Sequence, residues 1–371
     1  MRVGAPKEIK DQEYRVGLVP ASVRELVAHG HKVMIERGAG LGAGIVDADY
    51  EAAGAEIVAE PASIFERAEL IVKVKEPLKE ERKRLQRGQV LFTYLHLAPD
   101  REQTEALMAS GVTAIAYETV TDAAGRLPLL IPMSEIAGRM APQVGAHLLE
   151  KTSGGRGILL GGAPGVAPGE VLILGSGTVA TNAALIASGM NANVTVVGRN
   201  LDSLRHVEER FGGRVRTAFS TREAIEALCR RADLVVGTAM ARGGRAPKLV
   251  SAETVKAMPQ GAVIVDVSID QGGVAETSRP TSHSQPTFVV DGVIHYCVPN
   301  MPGAVARTST FALNSATLPY VLALADKGLS ALKADPGLCN GLNVCAGRVT
   351  YRAVAEALKL PFTPAAEALA A

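Results

Sequence analysis

"VLILGSGTVATNAA", residues 171–184, runs four apolar residues into Gly175-Ser176-Gly177 and then continues at helical spacing. In such a G-x-G-x-x-G/A turn the first glycine permits the tight bend and the second lets a pyrophosphate approach the backbone. The third position, here Ala180, keeps helix and strand close. The unpaired N–H groups of the following helix, at Gly177, Thr178 and Val179, suit phosphate. Alone, the pattern is equally a tight turn between core elements. A second strand, "NVTVVG" at 193–198, follows about 20 residues later, as a dinucleotide-binding unit requires.

The alternation continues through "RVRTAF", "TREAIEALCRRA", "DLVVGTA" and "AVIVDVSID". This predicts a doubly wound Rossmann domain, with crevices at the carboxyl ends of its strands. The first 130 residues alternate in the same way, from "RVGAPKE" to "TAIAYETV". The expected fold is therefore α/β, with two Rossmann-like domains and mainly parallel sheets. The expected division is 1–130 for a substrate domain, 131–303 for the dinucleotide domain and 304–371 for a helical return to the first. Residues 131–150 are read as a bridging helix with Ser134 as N-cap and Pro142 as a kink. The Gly- and Pro-rich segment 152–170 contains "ILL" and is expected to be an ordered loop rather than a linker.

Composition narrows the partner. A chain of 371 residues with 47% hydrophobic content can bury two cores, and Lys plus Arg (39) nearly balance Asp plus Glu (38). That balance gives no electrostatic reason to expect nucleic acid or a membrane surface, so a small molecule is the expected ligand. No apolar run reaches the roughly 18 residues of a membrane span, and "MRVGAPKEIKDQEYR" has no signal-peptide core. Cys229, Cys297, Cys339 and Cys345 lack CxxC spacing and a nearby histidine pair, so no metal site is expected. They read as reduced thiols, and the expected location is the cytoplasm.

Four residues outside the glycine turn carry groups that a hydride-transfer site for an amino or 2-keto acid needs. Arg15 in "EYRVGLVP" and Lys75 in "VKVKEP" offer cations for a carboxylate, although either could be a solvated charge. His96 in "LFTYLHLAPD" stands near the end of an apolar strand, where a proton carrier of near-neutral pKa would meet a ligand; a buried structural histidine would look the same. Asp270 closes "AVIVDVSID", whereas Asp266 inside that strand suits a structural role.

With these residues the chain resembles the alanine dehydrogenase family along essentially its whole length. The blocks "KVKEPL", "LFTYLHLA", "PMSEIAGRMAPQVGA", "VIVDVSIDQGG", "ETSRPTSH", "HYCVPNMPGAV" and "RTSTFALN" occur in family order. Transhydrogenase nucleotide-binding subunits are a second, related group. The resemblance implies a hexameric, NAD-dependent enzyme interconverting L-alanine with pyruvate and ammonium. It assigns Arg15 and Lys75 to the substrate and His96 and Asp270 to acid–base chemistry. It lines the cofactor with Ser134, Gly175, Ser176, Gly177, Thr178, Val179, Ser220, Ala239, Met240, Val267, Ser268, Ile269, Asp270, Arg279, Val298, Pro299, Asn300 and Met301.

Departures from the family concern mainly the cofactor. Gly198 stands where the family carries an acid for the adenosine ribose, followed by Arg199, and Ser203 replaces a basic residue. Arg242 is added in "ARGGRAPKLV", and Pro299 replaces a small residue. Loss of the acid with gain of Arg199 tilts the expected cofactor from NAD toward NADP. A related keto-acid or imine reductase, and a transhydrogenase-like nucleotide-binding module, remain alternatives at this stage.

Overall fold

The computed structural model describes residues 1–240 and 245–370, so Arg242 lies outside the described residues. The chain divides into two compact units, Met1–Met133 with Val305–Ala371, and Ser134–Ala304.

The first unit is built on an eight-stranded sheet. Its strands are β1 (Arg2–Ala5), β2 (Lys32–Glu36), β3 (Glu56–Val58), β4 (Leu70–Val72), β5 (Val90–Thr93) and β6 (Thr113–Ala116). After the seven strands of the second unit, β7 to β13, the chain adds β14 (Leu342–Cys345) and β15 (Arg348–Val349). The order is β15-β14-β6-β5-β4-β1-β2-β3, with β1 to β6 parallel to one another and β14 antiparallel to both β6 and β15. Alternate residues feed opposite faces, as a strand period of two requires. Val3, Ile35, Leu70, Val72, Phe92 and Ile115 join one buried cluster, while Met34, Ile71, Leu91 and Ala114 join another. The helix Ala306–Lys327 contributes Leu313, Val321 and Leu324 to the first cluster. The C-terminal segment is thus not purely helical as expected. Its β14–β15 hairpin turns at Ala346 and Gly347, both at positive φ (50° and 74°), a pairing that favours a tight two-residue turn.

The second unit carries β7 (Glu170–Leu174), β8 (Asn193–Gly198), β9 (Val215–Phe219), β10 (Leu234–Gly237), β11 (Val263–Asp266), β12 (Thr287–Val290) and β13 (Val293–Tyr296). Their order, β12-β13-β11-β10-β7-β8-β9, is parallel except for the β12–β13 hairpin. The sheet winds one way from β7 through β8 to β9 and the other way from β7 through β10, so its topological switch lies between β7 and β10. The segment 152–170 is tied down inside this unit: Arg156 N donates to Gly261 O at 3.0 Å and its guanidinium to Asp233 at 2.7 Å.

The long helix runs Ile131–Leu148, with Pro142 buried inside it. Ser134 lies within its first turns and is not the N-cap. The turn before it flows directly into the helix, since the N–H groups of Leu130 and Ile131 both donate to Leu127 O, at 3.0 and 3.2 Å. No helix among the described residues is long and apolar enough to cross a membrane.

Candidate active site

At its carboxyl edge, the first sheet gathers charged residues around its own switch point, between β1 and β4. Lys73, the first residue after β4, is completely buried, and its ammonium sits 3.0 Å from Glu8 and 2.6 Å from Glu81. Burial raises the Glu8 carboxyl above its ordinary range despite Lys73 beside it. The same carboxylate accepts from Val74 N at 2.7 Å and Lys75 N at 3.4 Å. Glu8 and Lys73 therefore fix the backbone from which Lys75 projects. Lys75 itself is half-buried and has no ion-pair partner among the described residues. Burial and the neighbouring charge of Arg15 both lower its pKa.

Arg15 is 2% exposed and clasped by Glu13 through two bonds of 2.6 Å, one from Nε and one from a terminal nitrogen. Burial opposes ionisation of both partners. The paired hydrogen bonds and charges outweigh it, leaving Glu13 below its usual range and Arg15 above its own. A guanidinium held in this fork is a pre-aligned donor platform, not a solvated surface charge.

His96 follows β5 by three residues and has φ +50°, a left-handed backbone that costs a non-glycine residue about 1–3 kcal/mol. Glu118 sustains it by accepting from His96 N at 2.6 Å and Leu95 N at 3.2 Å. The imidazole stacks parallel to the Tyr94 ring, centroids 5.9 Å apart, and remains about half exposed. Tyr94 in turn is buried and donates to Leu129 O at 2.6 Å. The histidine is thus an accessible ring on a fixed mount. Glu118 supplies the mount of His96, as Glu13 does for Arg15 and as Glu8, Lys73 and Glu81 do for Lys75, and sequence reasoning missed all five. Glu8 lies 65 to 67 residues from Lys73, Val74 and Lys75, and Glu118 lies 22 from His96, so no local spacing announces them; Glu13, two residues from Arg15, is the local exception.

In the second unit the glycine turn expected to cradle a nucleotide lies at the sheet switch. Gly175 has φ +126°, and a Cβ there would come 2.4 Å from Thr238 Oγ1, so β7 can turn beside the end of β10 only with glycine. Gly177, by contrast, faces open space and caps the helix Thr178–Gly189 without any side-chain bond. Its N-terminal amides are available to an anion, which is the fit a dinucleotide diphosphate needs. Ser176 is half-buried, and Thr178 is exposed while Val179 packs inward. Ser134, Ser220, Ala239 and Val267 are half-buried and Met240 is exposed. Ile269, Val298 and Met301 turn their side chains into the core, as does Ser268, so these positions offer backbone. Pro299 and Asn300 are half-buried, Asn300 at φ +58°, and Arg279 stacks on the Phe288 ring at 4.2 Å.

Asp270 is exposed in a single turn, Ile269–Gln271, after β11. The loop bearing it hangs from Asp266, which is wholly buried and accepts from Val274 N at 2.7 Å and Ser278 Oγ at 2.6 Å. Lys248 adds bonds to the carbonyls of Gly272 and Ala275, at 2.6 and 2.8 Å. Asp266 positions; Asp270 is presented.

At the strand end where a ribose-binding acid is expected, β8 finishes in Gly198. A Cβ at this position would lie 2.6 Å from Ser176 Oγ, 2.9 Å from Ser176 Cβ and 3.1 Å from Leu204. Ser176 therefore occupies the space into which an acid at 198 would grow. Arg199 is exposed, and Asn200 spends its side-chain oxygen on capping the helix Leu201–Phe211 through Ser203 N.

Sequence comparison decides the family. The sequence models for the alanine dehydrogenase/PNT N-terminal and C-terminal domains match residues 4–137 and 141–352. This chain belongs to the alanine dehydrogenase/PNT family. It is 55% identical to an alanine dehydrogenase of Halomonas elongata over 367 residues, covering 99% of each chain. It is 52% identical to one from Mycobacterium tuberculosis (strain H37Rv) over 371 residues, covering all of both. A solved L-alanine dehydrogenase superposes with TM-score 0.95 at 54% identity, covering 97% of this chain and 99% of that one. A transhydrogenase from Sinorhizobium meliloti shares the fold, with TM-score 0.83 at 23% identity over 94% of this chain and 100% of that one.

Proposed function

We propose that this chain is an L-alanine dehydrogenase, an oxidoreductase acting on CH–NH2, that interconverts L-alanine with pyruvate and ammonium. The observation that carries the reading is the carboxyl edge of the first sheet, where Lys75, Arg15 and His96 stand on buried, hydrogen-bonded mounts. The cradle at Gly175–Val179 would hold a nicotinamide nucleotide, which supplies the hydride acceptor or donor when bound.

The side chains divide the remaining work. Lys75, which no acid neutralises among the described residues, receives the substrate carboxylate. Arg15, its charge largely balanced by Glu13, contributes directed N–H donors. Together they present close to one positive charge, which suits a monocarboxylate. His96 removes the proton from the alanine ammonium, without which the lone pair cannot assist departure of hydride from Cα. In the same direction water adds to the resulting imine carbon. Asp270 takes the water's proton and returns it to nitrogen, and the carbinolamine hydroxyl then gives its own proton to the carboxylate as the C–N bond breaks, releasing ammonia and leaving pyruvate. Fixing Cα between clamp and base converts these encounters into one bound geometry.

The assay that tests this is pyruvate amination with ammonium, run in parallel with NADH and NADPH against a panel of 2-keto acids. Pyruvate with ammonium should lead the panel, and failure to form alanine with either cofactor would overturn the assignment. For the cofactor we expect kcat/KM with NADPH to equal or exceed that with NADH, because Gly198 removes the charge that repels a 2′-phosphate and Arg199 can attract one. A strong NADH preference would sink this part alone.

Gly198→Asp alone faces a steric obstacle. Its Cβ meets Ser176 from the outset, so the single variant should weaken binding of both cofactors. The pair Gly198→Asp with Ser176→Gly should bind NADH better than the single variant and shift preference toward it by about 1–3 kcal/mol, the worth of a hydrogen bond to a charged group. Equal NADH affinity in the single and double variants, by fluorescence titration, would show that Ser176 is not the obstacle.

By family resemblance we place the chain in a cytoplasmic homo-hexamer, an assignment that light scattering of the purified protein tests for the oligomer.

A further inference from the structure

The turn from the helix Pro20–Ala28 into β2 reads His29-Gly30-His31. Gly30 takes φ +81°, and three backbone bonds close the turn, from His29 N to Glu25 O, Gly30 N to Val27 O and His31 N to Leu26 O, at 3.1, 2.9 and 3.0 Å. The bend brings both imidazoles to Asp326, near the end of the helix Ala306–Lys327. His29 Nδ1 lies 3.0 Å from one carboxylate oxygen and His31 Nε2 2.8 Å from the other. One nitrogen from each ring and one carboxylate oxygen all fall within 4.8 Å of one another. A tetrahedral ion with metal–ligand distances of about 2.0–2.2 Å holds its ligands roughly 3.3–3.5 Å apart, so only small side-chain adjustments separate this cluster from a coordination shell.

We infer that His29, His31 and Asp326 bind one divalent ion of the zinc class, with water completing the shell. Two imidazole nitrogens and one carboxylate match zinc and its transition-metal neighbours, whereas magnesium and calcium favour all-oxygen shells. The site is shallow but not loose. Asp326 is about one-third exposed, His31 is nearly buried and His29 is open. His31 Nδ1 lies 3.1 Å from the Met1 amine. When Nε2 takes the metal, its proton leaves to solvent. A ring that ligates through Nε2 carries its proton on Nδ1, where an outer-shell acceptor can hold it. An ion here would clamp the end of a long helix to the entry of the sheet, and binding only the folded chain would stabilise it.

The test is calorimetric titration of ZnCl2 into the EDTA-treated protein, with cobalt absorption as a second reading. We expect one ion per chain, a tetrahedral cobalt spectrum, and loss of both in His29→Ala and Asp326→Asn. Both substitutions fall on exposed or part-exposed side chains, and circular dichroism confirms their fold. Absence of zinc uptake by the unaltered protein, or undiminished uptake by both variants, would overturn the proposal.

Discussion

Replacing His96 by asparagine should lower kcat/KM for alanine oxidation by about 10²–10⁴-fold while leaving the thermal midpoint nearly unchanged. The magnitude follows from removing a positioned proton carrier. The unchanged midpoint follows from a side chain about half exposed, which stacks on Tyr94 and lies 3.9 Å from Glu118 through Nδ1. Asparagine is chosen because the position has φ +50° and asparagine tolerates that region better than most residues, so the loop geometry is kept. Nicotinamide cofactor titration should give the same affinity as the unaltered protein, because the cradle belongs to the other unit. The pH–rate profile should lose the limb that reports the base. An activity above one-tenth of the original would remove His96 from the chemistry.

The second large effect is on stability. Lys73→Met should destabilise the first unit by about 3–5 kcal/mol, because Glu8 and Glu81 would remain buried without their shared cation. Converted at roughly 2–4 °C per kcal/mol, that is a fall of about 6–20 °C in Tm. The further change of Glu8 and Glu81 to glutamine in the same chain should recover much of the loss, since the cost comes from orphaned charge and not from lost volume. A Lys73→Met protein that melts with the original would mean that the triad is neutral. The variant should also raise KM for pyruvate, since Glu8 positions the backbone of Lys75.

Local signals in the sequence disclose some of this architecture and long-range pairings hide the rest. Strand–turn–helix at 171–184 was legible because its signal is local: four apolar residues, two glycines and a helix in one window. The parallel strands of the first unit were legible for the same reason. The β14–β15 hairpin was obscured because four residues and two residues are too short to display a period among neighbouring helices. Ser134 was misread because an N-cap serine and an early-turn serine have the same identity, and the preceding turn, invisible in the pattern, decides between them. Lys73 and Lys75 are neighbours of one type in "VKVKEP", yet one is a buried strut and the other the available cation. Only the arrival of Glu8 and Glu81 from elsewhere in the chain separates their roles.

The contact between Ser176 and the backbone of Gly198 also ties two positions together. A side chain at 198 and the serine at 176 compete for one small volume, so an acid enters at 198 only where residue 176 gives way. Redesign of this strand end is therefore a two-site problem, in which neither substitution alone delivers what the pair would.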